Sequence, residues 1–405
     1  MDALTTPSNW QRVRLGDMTT SFTKQTGFDY SASIKPTLIK EQLPNYIPFI
    51  QNKDFLGHYI NYKTDYFIPN EIAIRFPQIL LNEKCLLISI SGAIGNVAVF
   101  NHSQNAFIGG AIAVLKFKEK KSLDFVMHFL MSASGQKLLL NSVKSSSHKN
   151  LTIADLRDLL IPLPPLNEQI AIANILSDVD HYLYSLDALI LKKESVKKAL
   201  SFELLSQRKR LKGFNQAWQK VRLGDIGKPC MCKRVMKHQT TRYGEIPFYK
   251  IGTFGNTADA FISKKLFLEY KTKYSFPKKG DILISASGTI GRAVIYDGKP
   301  AYFQDSNIVW IDNDETLVKN DFLFYVYSHV KWNTEHTTIL RLYNDNFKNT
   351  LIPLPPLNEQ IAIANVLSDV DNEIISLKNK KRQFENIKKA LNHDLMSAKI
   401  RVLKE

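Results

Sequence analysis

A segment of 21 residues occurs twice in this chain with a single change. Residues Leu160–Asp180 read LIPLPPLNEQIAIANILSDVD, and Leu351–Asp371 read LIPLPPLNEQIAIANVLSDVD, 191 residues further on. This spacing is far too long for one unit of a solenoid, whose repeats lie roughly 20–50 residues apart. The repeating unit is therefore a domain followed by this segment, and the chain consists of two copies of one plan.

Shorter matched segments indicate that the domains before each repeat share a frame. They are WQRVRLGD at Trp10–Asp17 and WQKVRLGD at Trp218–Asp225, Ile-Pro-Phe at 47–49 and 246–248, and LISISGAIGNVAVF at Leu87–Phe100 and LISASGTIGRAVIY at Leu283–Tyr296. The last pair is rich in Ile and Val and is interrupted by Ser-Gly, which predicts short strands that meet at tight turns. Between the landmarks the copies diverge, so the two domains are expected to recognise different things.

The residues after the repeated prolines predict a long helix in each copy. Prolines keep the lead-in extended, and neither proline nor glycine occurs from Leu166 until Gly213. Apolar residues then follow in steps of three and four, which is the seam of a coiled coil. A helix roughly 65 Å long with so narrow an apolar stripe needs a partner. The residues expected to pair the helices, or to meet partner proteins, are Ile172, Leu176, Val179, Leu183 and Leu186, and Ile363, Leu367, Val370, Ile374 and Leu377.

The predicted fold class is α+β, with two similar α/β domains and a pseudo-twofold internal repeat. The domains are separated by two long helices, which we expect to pack as an antiparallel coiled coil because each leads away from its own domain; two unrelated surface helices are the alternative. The expected boundaries are 1–164, 165–212 for the central helix, 213–355, and 356–405 for the C-terminal helix. Lysine-rich clusters near the far end of each helix are either solvated faces or contacts to phosphate or a partner.

The charge balance points to a polyanionic partner. The chain has 54 Lys and Arg against 38 Asp and Glu, a formal net charge of +16. Nucleic acid is the first expectation, with simple solubility or an acidic protein or membrane surface as alternatives. The sequence shows no signal peptide and no apolar run of membrane-spanning length. Three cysteines are too few for a disulfide framework, so a cytoplasmic chain without a membrane partner is expected.

No motif for catalysis or for a cofactor is found. Cys230, Cys232 and His238 have no fourth ligand at the spacing of a zinc finger. The sequences GAIG and GTIG imitate the GXXG loop of a KH domain, but strand-like runs rather than helices flank them. Neither a Walker loop nor the Asn-Pro-Pro-Tyr type of motif of an amino-methyltransferase occurs. Asp178 and Asp180 do not share a helical face, and with their repeats Asp369 and Asp371 they are expected to be surface charges rather than metal ligands.

Leu-Asn-Glu-Gln after prolines, followed by a long helix and repeated after a variable domain, resembles the specificity subunit of type I restriction–modification enzymes. The doubled PLPPLNEQ is specific, and the likeness covers essentially the whole chain. The resemblance implies that each variable domain is a target recognition domain that reads one half of a bipartite, asymmetric site in double-stranded DNA. It implies that the repeated regions bind two modification (methyltransferase) subunits and act as a ruler. S-adenosylmethionine, ATP and Mg would then belong to partner subunits, which include a restriction subunit.

Neither variable domain shows a helical recognition element, so loops and strand ends are the expected DNA contacts. Lysine and arginine suit phosphates, and amide side chains suit base edges. Purely structural turns and ordinary polar loops are the alternatives. The candidate DNA-binding residues are Ser91, Gly92, Lys149, Asn150 and Arg157 in the first copy, and Ser287, Gly288, Arg292, Gln304, Arg341, Tyr343, Asn344 and Lys348 in the second. Gln104 is a weaker candidate, expected to match Gln304.

Two other functions remain open at the level of sequence. The chain could be a nuclease or methyltransferase that acts alone through an active site without a recognisable motif. It could also be a coiled-coil protein adaptor whose basic surface is incidental. A DNA-reading scaffold that positions a methyltransferase explains the repeat, the charge and the absence of catalytic motifs together, and it is the function we expect.

Overall fold

The computed structural model describes residues 9–25, 29–142, 150–333 and 341–402. The chain divides into two compact units, one formed by Met1–Leu186 with Lys380–Glu405 and the other by Asp187–Asn379. Each unit contains a globular head and a part of each of two long helices. None of the helices in the described ranges is both long and apolar enough to cross a membrane.

The head of the first unit contains two four-stranded sheets. Its elements are β1 (Gln11–Arg14), β2 (Thr19–Lys24), α1 (Tyr30–Ser33), β3 (Tyr46–Ile50), β4 (Phe55–Leu56), β5 (Tyr59–Ile60), β6 (Phe67–Pro69), α2 (Asn70–Ala73), β7 (Leu80–Leu81), β8 (Cys85–Ser89), β9 (Val97–Phe100), β10 (Ala106–Ile108), β11 (Ile112–Phe117), α3 (Ser122–Met131), α4 (Ala133–Asn141), α5 (Ile153–Arg157) and β12 (Leu160–Leu163). One sheet has the antiparallel order β2-β11-β8-β9, and the other has the order β6-β3-β10-β7 with β3 and β10 parallel. Strand β12 contains Pro162 of the repeat and, among the described residues, pairs with β1 alone, an edge position at which a strand tolerates proline.

The head of the second unit repeats this plan. After the long helix α6 (Leu166–Leu205) come β13 (Gln219–Arg222), α7 (Leu223–Ile226), β14 (Gly227–Met231), β15 (Ile246–Tyr249), β16 (Phe261–Ile262), α8 (Lys264–Lys273), β17 (Ile282–Ser285), β18 (Ala293–Ile295), β19 (Tyr302–Phe303), β20 (Ile308–Asn313), α9 (Asn320–Tyr327), α10 (Asn344–Asn349), β21 (Leu351–Leu354) and the second long helix, α11 (Leu357–Met396). The sheet orders β14-β20-β17-β18 and β13-β21 match those of the first head, and β16-β15-β19 matches its other sheet without a counterpart of β7. The predicted internal repeat of α/β domains is confirmed.

Alternate residues of β8 enter two different hydrophobic cores. Leu86 and Ile88 pack in one cluster with Phe125 of α3, whereas Leu87 packs in a second cluster with Phe49 of the other sheet. Because successive side chains of a strand point to opposite faces, a strand buried on both faces needs an uninterrupted apolar run. The equivalent strand β17 divides its side chains between two clusters in the same way.

The two long helices pack antiparallel within each unit. In the first unit Asp180 of α6 pairs with Lys388 of α11, and the rings of Tyr182 and Phe384 lie 4.5 Å apart. In the second unit Lys193 Nζ lies 2.7 Å from Glu373 Oε2, and Lys197 pairs with Asp371 at 2.5 Å. In both units the residue number of the partner on α11 decreases as the residue number on α6 increases. The predicted antiparallel pairing is confirmed, and two lysines that interrupt the apolar seam of α6 take part in it.

The repeated Asn-Glu-Gln joins the two helices at their ends. In the first unit Arg401 donates from Nε and Nη2 to the two carboxylate oxygens of Glu168, at 2.9 and 3.2 Å. In the second unit Arg210 donates in the same way to Glu359, at 3.0 and 2.6 Å. Both glutamates are buried. A buried carboxylate without such a partner costs several kcal/mol, so each repeat needs the arginine that follows the other helix.

The neighbouring glutamine of the repeat closes the start of each helix. Gln169 donates from Nε2 to the carbonyl of Pro164, at 2.7 Å, and Gln360 donates to the carbonyl of Pro355, at 2.9 Å. The proline lead-in and the first helical turn are therefore tied together by the repeated residues themselves.

The expectation that the repeated aspartates are surface charges is wrong for Asp180. Asp178 and Asp369 are exposed, but Asp180 is only 5% exposed. Its partner Lys388 comes from the other long helix, and the spacing of residues along α6 alone cannot reveal it. Asp371 is half-buried and accepts a hydrogen bond from the hydroxyl of Tyr325, at 2.9 Å.

A half-buried histidine, His58, and a buried one, His128, lie near Asp180 in the first unit. His58 Nδ1 is 3.5 Å from Asp180 Oδ2, and His128 Nε2 is 3.0 Å from the hydroxyl oxygen of Ser177. Burial is the main cause that lowers the pKa of both imidazoles, for His128 to about 3, and the nearby Lys388 charge acts in the same direction. Both side chains are therefore neutral near pH 7.

The neutral His128 should make the first unit less stable in acid. An unfolded histidine takes up a proton below pH 6.5, while folded His128 does not until about pH 3, so the stabilisation is lost as the pH falls between these values. At pH 5 the difference is about 2 kcal/mol. We expect His128→Gln to remove this part of the pH dependence. Hydrogen exchange of peptides from β8 and α3 in urea, at pH 7 and pH 5, measures it.

The matched control for this prediction is His102→Gln, because His102 is exposed in the same head. It should leave the wild-type pH dependence intact. An equal loss of pH dependence in both variants would contradict the assignment to His128.

Candidate nucleic-acid interface

Each head carries the same turn after its central strand. Gly92 and Gly95 have φ of +73° and +86°, and Gly288 and Gly291 have φ of +66° and +83°. This left-handed region favours glycine, because a side chain would clash with its own backbone. The hydroxyl oxygen of Ser89 or Ser285 accepts the backbone N–H seven residues later, at 2.9 Å in both heads. The tight turns predicted from the sequence are confirmed.

The turn lies beside residues that are distant in the sequence. Ser91 forms an isolated β-bridge with Asn150, and Ser287 forms one with Arg341. The same candidate residues from two sequence segments thus meet in each head. Asn150 and Arg341 are exposed, so a basic side chain stands at this point of the second head and an amide at the same point of the first.

The side chains that support the turn differ between the heads. In the first head Asn52 donates from Nδ2 to the carbonyl of Ser91, at 2.7 Å. In the second head the Ser287 hydroxyl donates to Asn307 Oδ1, at 2.7 Å, and Arg292 donates from Nη1 to the carbonyl of Phe254, at 2.9 Å. The backbone frame is common, whereas the polar groups on it are specific to each head.

A cleft adjoins each of these sites at the end of the parallel strand pair. The first cleft has a volume of about 420 Å³ and is lined by Gln51, Asn52, Lys53, Gly109, Gly110, Ala111 and Ile112. The second cleft has a volume of about 300 Å³ and is lined by Ile251, Gly252, Phe254, Ser285, Ser287, Gly288, Thr289 and Arg292. Sequence reasoning did not single out the loops that follow β3 and β15. The Ile-Pro-Phe landmark could have indicated them, because it ends directly before both loops.

Two of the basic candidates lie away from the turn. Arg157 contacts Gly16 of the RLGD segment, since a Cβ placed on Gly16 would be 3.0 Å from Arg157 Cβ. Lys348 has the same relation to Gly224, at 3.1 Å. Both therefore lie at the base of a head, beside the segment that joins its first strand to the next one.

The remaining candidates have varied positions. Tyr343 and Asn344 are exposed at the start of α10. Gln304 is half-buried, and its Oε1 accepts the backbone N–H of Ile251, at 2.9 Å. Gln104 is not its equivalent, because it precedes β10 whereas Gln304 follows the matching strand β19. Lys149 lies outside the described residues.

The candidate helix-pairing residues divide between the heads and the helix pair. Ile172 and Leu176 are buried in a core of the first head, and Ile363 and Leu367 are buried in a core of the second. Further along the helices, Leu186 and Ile374 are buried, and the half-buried members are Val179, Leu183, Val370 and Leu377.

The cysteines have the properties of structural thiols. Burial raises the pKa of the Cys85 and Cys232 thiols to about 12, so both stay protonated and unreactive near pH 7. In the described part of the chain no group of three or more His, Cys, Asp or Glu side chains is arranged to hold a metal ion.

Comparison with known proteins finds one family throughout. The profile of the type I restriction modification DNA specificity domain matches residues 7–193 and again residues 215–386. A putative type I restriction enzyme specificity subunit of Haemophilus influenzae is 43% identical over 289 residues, which cover 69% of this chain and 70% of that protein. A type I restriction enzyme specificity subunit of Methanocaldococcus jannaschii is 26% identical over 431 aligned positions, which cover 99% and 95%.

Solved structures have the same fold. The type I restriction–modification S subunit from M. genitalium superposes with a TM-score of 0.62 at 16% identity, over 97% of this chain and 98% of that one. The two profile matches span both heads and most of both long helices. The chain therefore belongs to the type I restriction–modification DNA specificity family, whose members are non-catalytic DNA-recognition subunits.

Proposed function

We propose that each head reads one half of a bipartite, asymmetric DNA site, and that the paired helices set the spacing between the halves. Modification subunits bind the helices and carry out methylation, with S-adenosylmethionine as their cofactor. ATP and Mg belong to a restriction subunit that joins the same assembly. This chain supplies recognition and geometry.

The observation that carries the proposal is that the two units share one backbone arrangement, while the polar side chains around the Ser-Gly turn differ. The pairs Glu168–Arg401 in the first unit and Glu359–Arg210 in the second join the long helices within each unit in the same way. On this common frame the Ser-Gly turn is supported by Asn52 in one head and by Asn307 in the other. Two heads that share this turn and differ in the polar groups around it and its cleft are suited to read two different sequences. The net charge of +16 provides a general attraction to phosphates.

The helices carry exposed apolar side chains at positions that the repeat makes equivalent. In the first unit Tyr184 is 67% exposed and Ile387 is 50% exposed, each within one turn of the Tyr182–Phe384 contact. Single exposed apolar residues are common on protein surfaces, but this pair recurs.

The second unit presents the matching pair. There Ile375 is 55% exposed and Val196 is 45% exposed, beside the ion pairs of Lys193 and Lys197. We propose that these two pairs are docking points for two copies of one methyltransferase, one copy on each unit.

Exchange of one head tests the reading of half-sites. A foreign segment in place of residues 16–149 should change one half of the methylated motif and leave the other half and the gap unchanged. Long-read methylation mapping in cells that carry this chain with its methyltransferase measures the motif. Changes in both halves, or a short palindromic motif in the wild type, would refute independent reading.

Removal of one cation near the turn tests which basic residues meet DNA. Arg341→Ala should lower the slope of log K against log salt concentration by about 1, because one phosphate contact is lost. Fluorescence anisotropy with the cognate duplex, from low to physiological salt, measures this slope. Lys348→Ala removes the same charge at the base of the head and serves as the control. An unchanged slope for Arg341→Ala would place the DNA elsewhere.

Charge placed on one apolar pair tests the docking of the methyltransferase. The double variant Tyr184→Glu with Ile387→Glu should bind one methyltransferase subunit instead of two, because the first unit loses its apolar contact. Native mass spectrometry of the assembled complex counts the subunits. Ser185→Glu adds a charge at the neighbouring exposed position and should retain both subunits. Retention of two subunits by the double variant would exclude this surface.

A further inference from the structure

Asn52, which lines the first cleft, has a buried hydrogen-bond acceptor that lacks a donor. Asn52 donates from Nδ2 to the Ser91 carbonyl. A carbonyl can only accept, so this bond fixes which end of the amide is nitrogen and leaves Oδ1 on the other side. Oδ1 is covered from solvent, and no hydrogen-bond donor reaches it from the residues that the structure describes. An acceptor buried without a partner is destabilising, and a donor that arrives with a ligand would remove this cost.

The same position in the second head has no side-chain acceptor. The residue that matches Asn52 is Ile251, counted from the Ile-Pro-Phe landmark. Its backbone N–H is bound by Gln304, whose own N–H donates to the carbonyl of Tyr249, at 2.9 Å. In the first head the residue that makes the equivalent backbone bond, to Ile50 at 2.8 Å, is Gly109. A glycine therefore stands where the second head has Gln304, whose side chain binds the backbone of the residue that matches Asn52.

The next residue also keeps the first cleft open. A Cβ on Gly110 would lie 2.6 Å from Gln25 Oε1, so a side chain there would have to displace Gln25. On the other side Lys53, which is paired with Asp65, lines the cleft with a positive charge. The first cleft is thus open, is bordered by a cation, and offers one acceptor without a partner.

We propose that Asn52 is a specificity-determining residue of the first head, whose Oδ1 accepts a hydrogen bond from the exocyclic amino group of one base in the DNA site. The inference rests on the proposed function. Asn52 as a whole is half-buried, so a rotation of its side chain that gives up the bond to the Ser91 carbonyl can bring the oxygen to a base edge at the cleft mouth. In the major groove adenine and cytosine present an amino donor, whereas guanine and thymine present a carbonyl oxygen. A free acceptor therefore selects adenine or cytosine.

Methylation of a duplex library tests the proposal directly. The assembled complex of full-length chain and methyltransferase is given duplexes randomised at the first half-site, with the second half-site constant. Asn52→Ala should reduce the preference for the amino-bearing base at one position about tenfold, while the other positions keep theirs. Asn52→Asp retains an oxygen acceptor and should keep that preference. A second library, randomised at the second half-site, should give the wild-type motif with both variants and so shows that the chain has folded.

The control variant is Asn61→Ala, which removes an amide in the same head whose Nδ2 donates to the Lys63 carbonyl. It should leave the motif unchanged. If Asn52→Ala lowers methylation equally for all first half-sites, Asn52 only holds the Ser91 carbonyl and the proposal is overturned. A broadened preference in Asn61→Ala as well would also overturn it. A wild-type complex that shows no bipartite motif would instead refute the proposed function itself.

Discussion

Two buried carboxylates determine how this chain is put together. Glu168 and Glu359 occupy equivalent positions of the repeat. Each accepts hydrogen bonds from Nε and Nη2 of an arginine that follows the other long helix. Breaking such a pair leaves a charge in a site without water, which costs more than an exposed ion pair contributes. In each unit the carboxylate lies in the first turn of a long helix, directly after the proline lead-in. The heads can differ because the frame is fixed independently of their loops.

Much of the architecture could be predicted from the sequence, because the two halves of the chain can be aligned with each other. Matched landmarks predicted two heads of one plan, alternation of three and four predicted the helix pair, and Ser-Gly predicted the turns. Each of these patterns consists of residues that are close together in the sequence, or of a regular spacing of apolar residues along one segment. The α+β class and the antiparallel pairing followed from them.

The candidate site was predicted less well, for physical reasons that differ between residues. Asp180 was expected at the surface because its lysine partner lies on another helix and leaves no pattern near it. Gln104 and Gln304 were matched as residues that follow a strand, but Gln104 precedes β10 whereas Gln304 follows the equivalent strand β19. Arg157 follows Asn150 closely in the sequence, and Lys348 follows Tyr343. In each head, however, a short helix, α5 or α10, places the basic residue at the base of the head. Contacts between distant segments decide such positions.

The two units do not use the same chemistry at one equivalent point of the helix pair. Tyr182 and Phe384 form an aromatic contact in the first unit, while the matching positions in the second hold Lys193 and Glu373 as an ion pair. Dissolved ions screen a half-exposed ion pair and leave ring packing nearly untouched. Rising ionic strength therefore loosens the helix pairing of the second unit first, and the two units of an otherwise repetitive chain respond differently to the same solution.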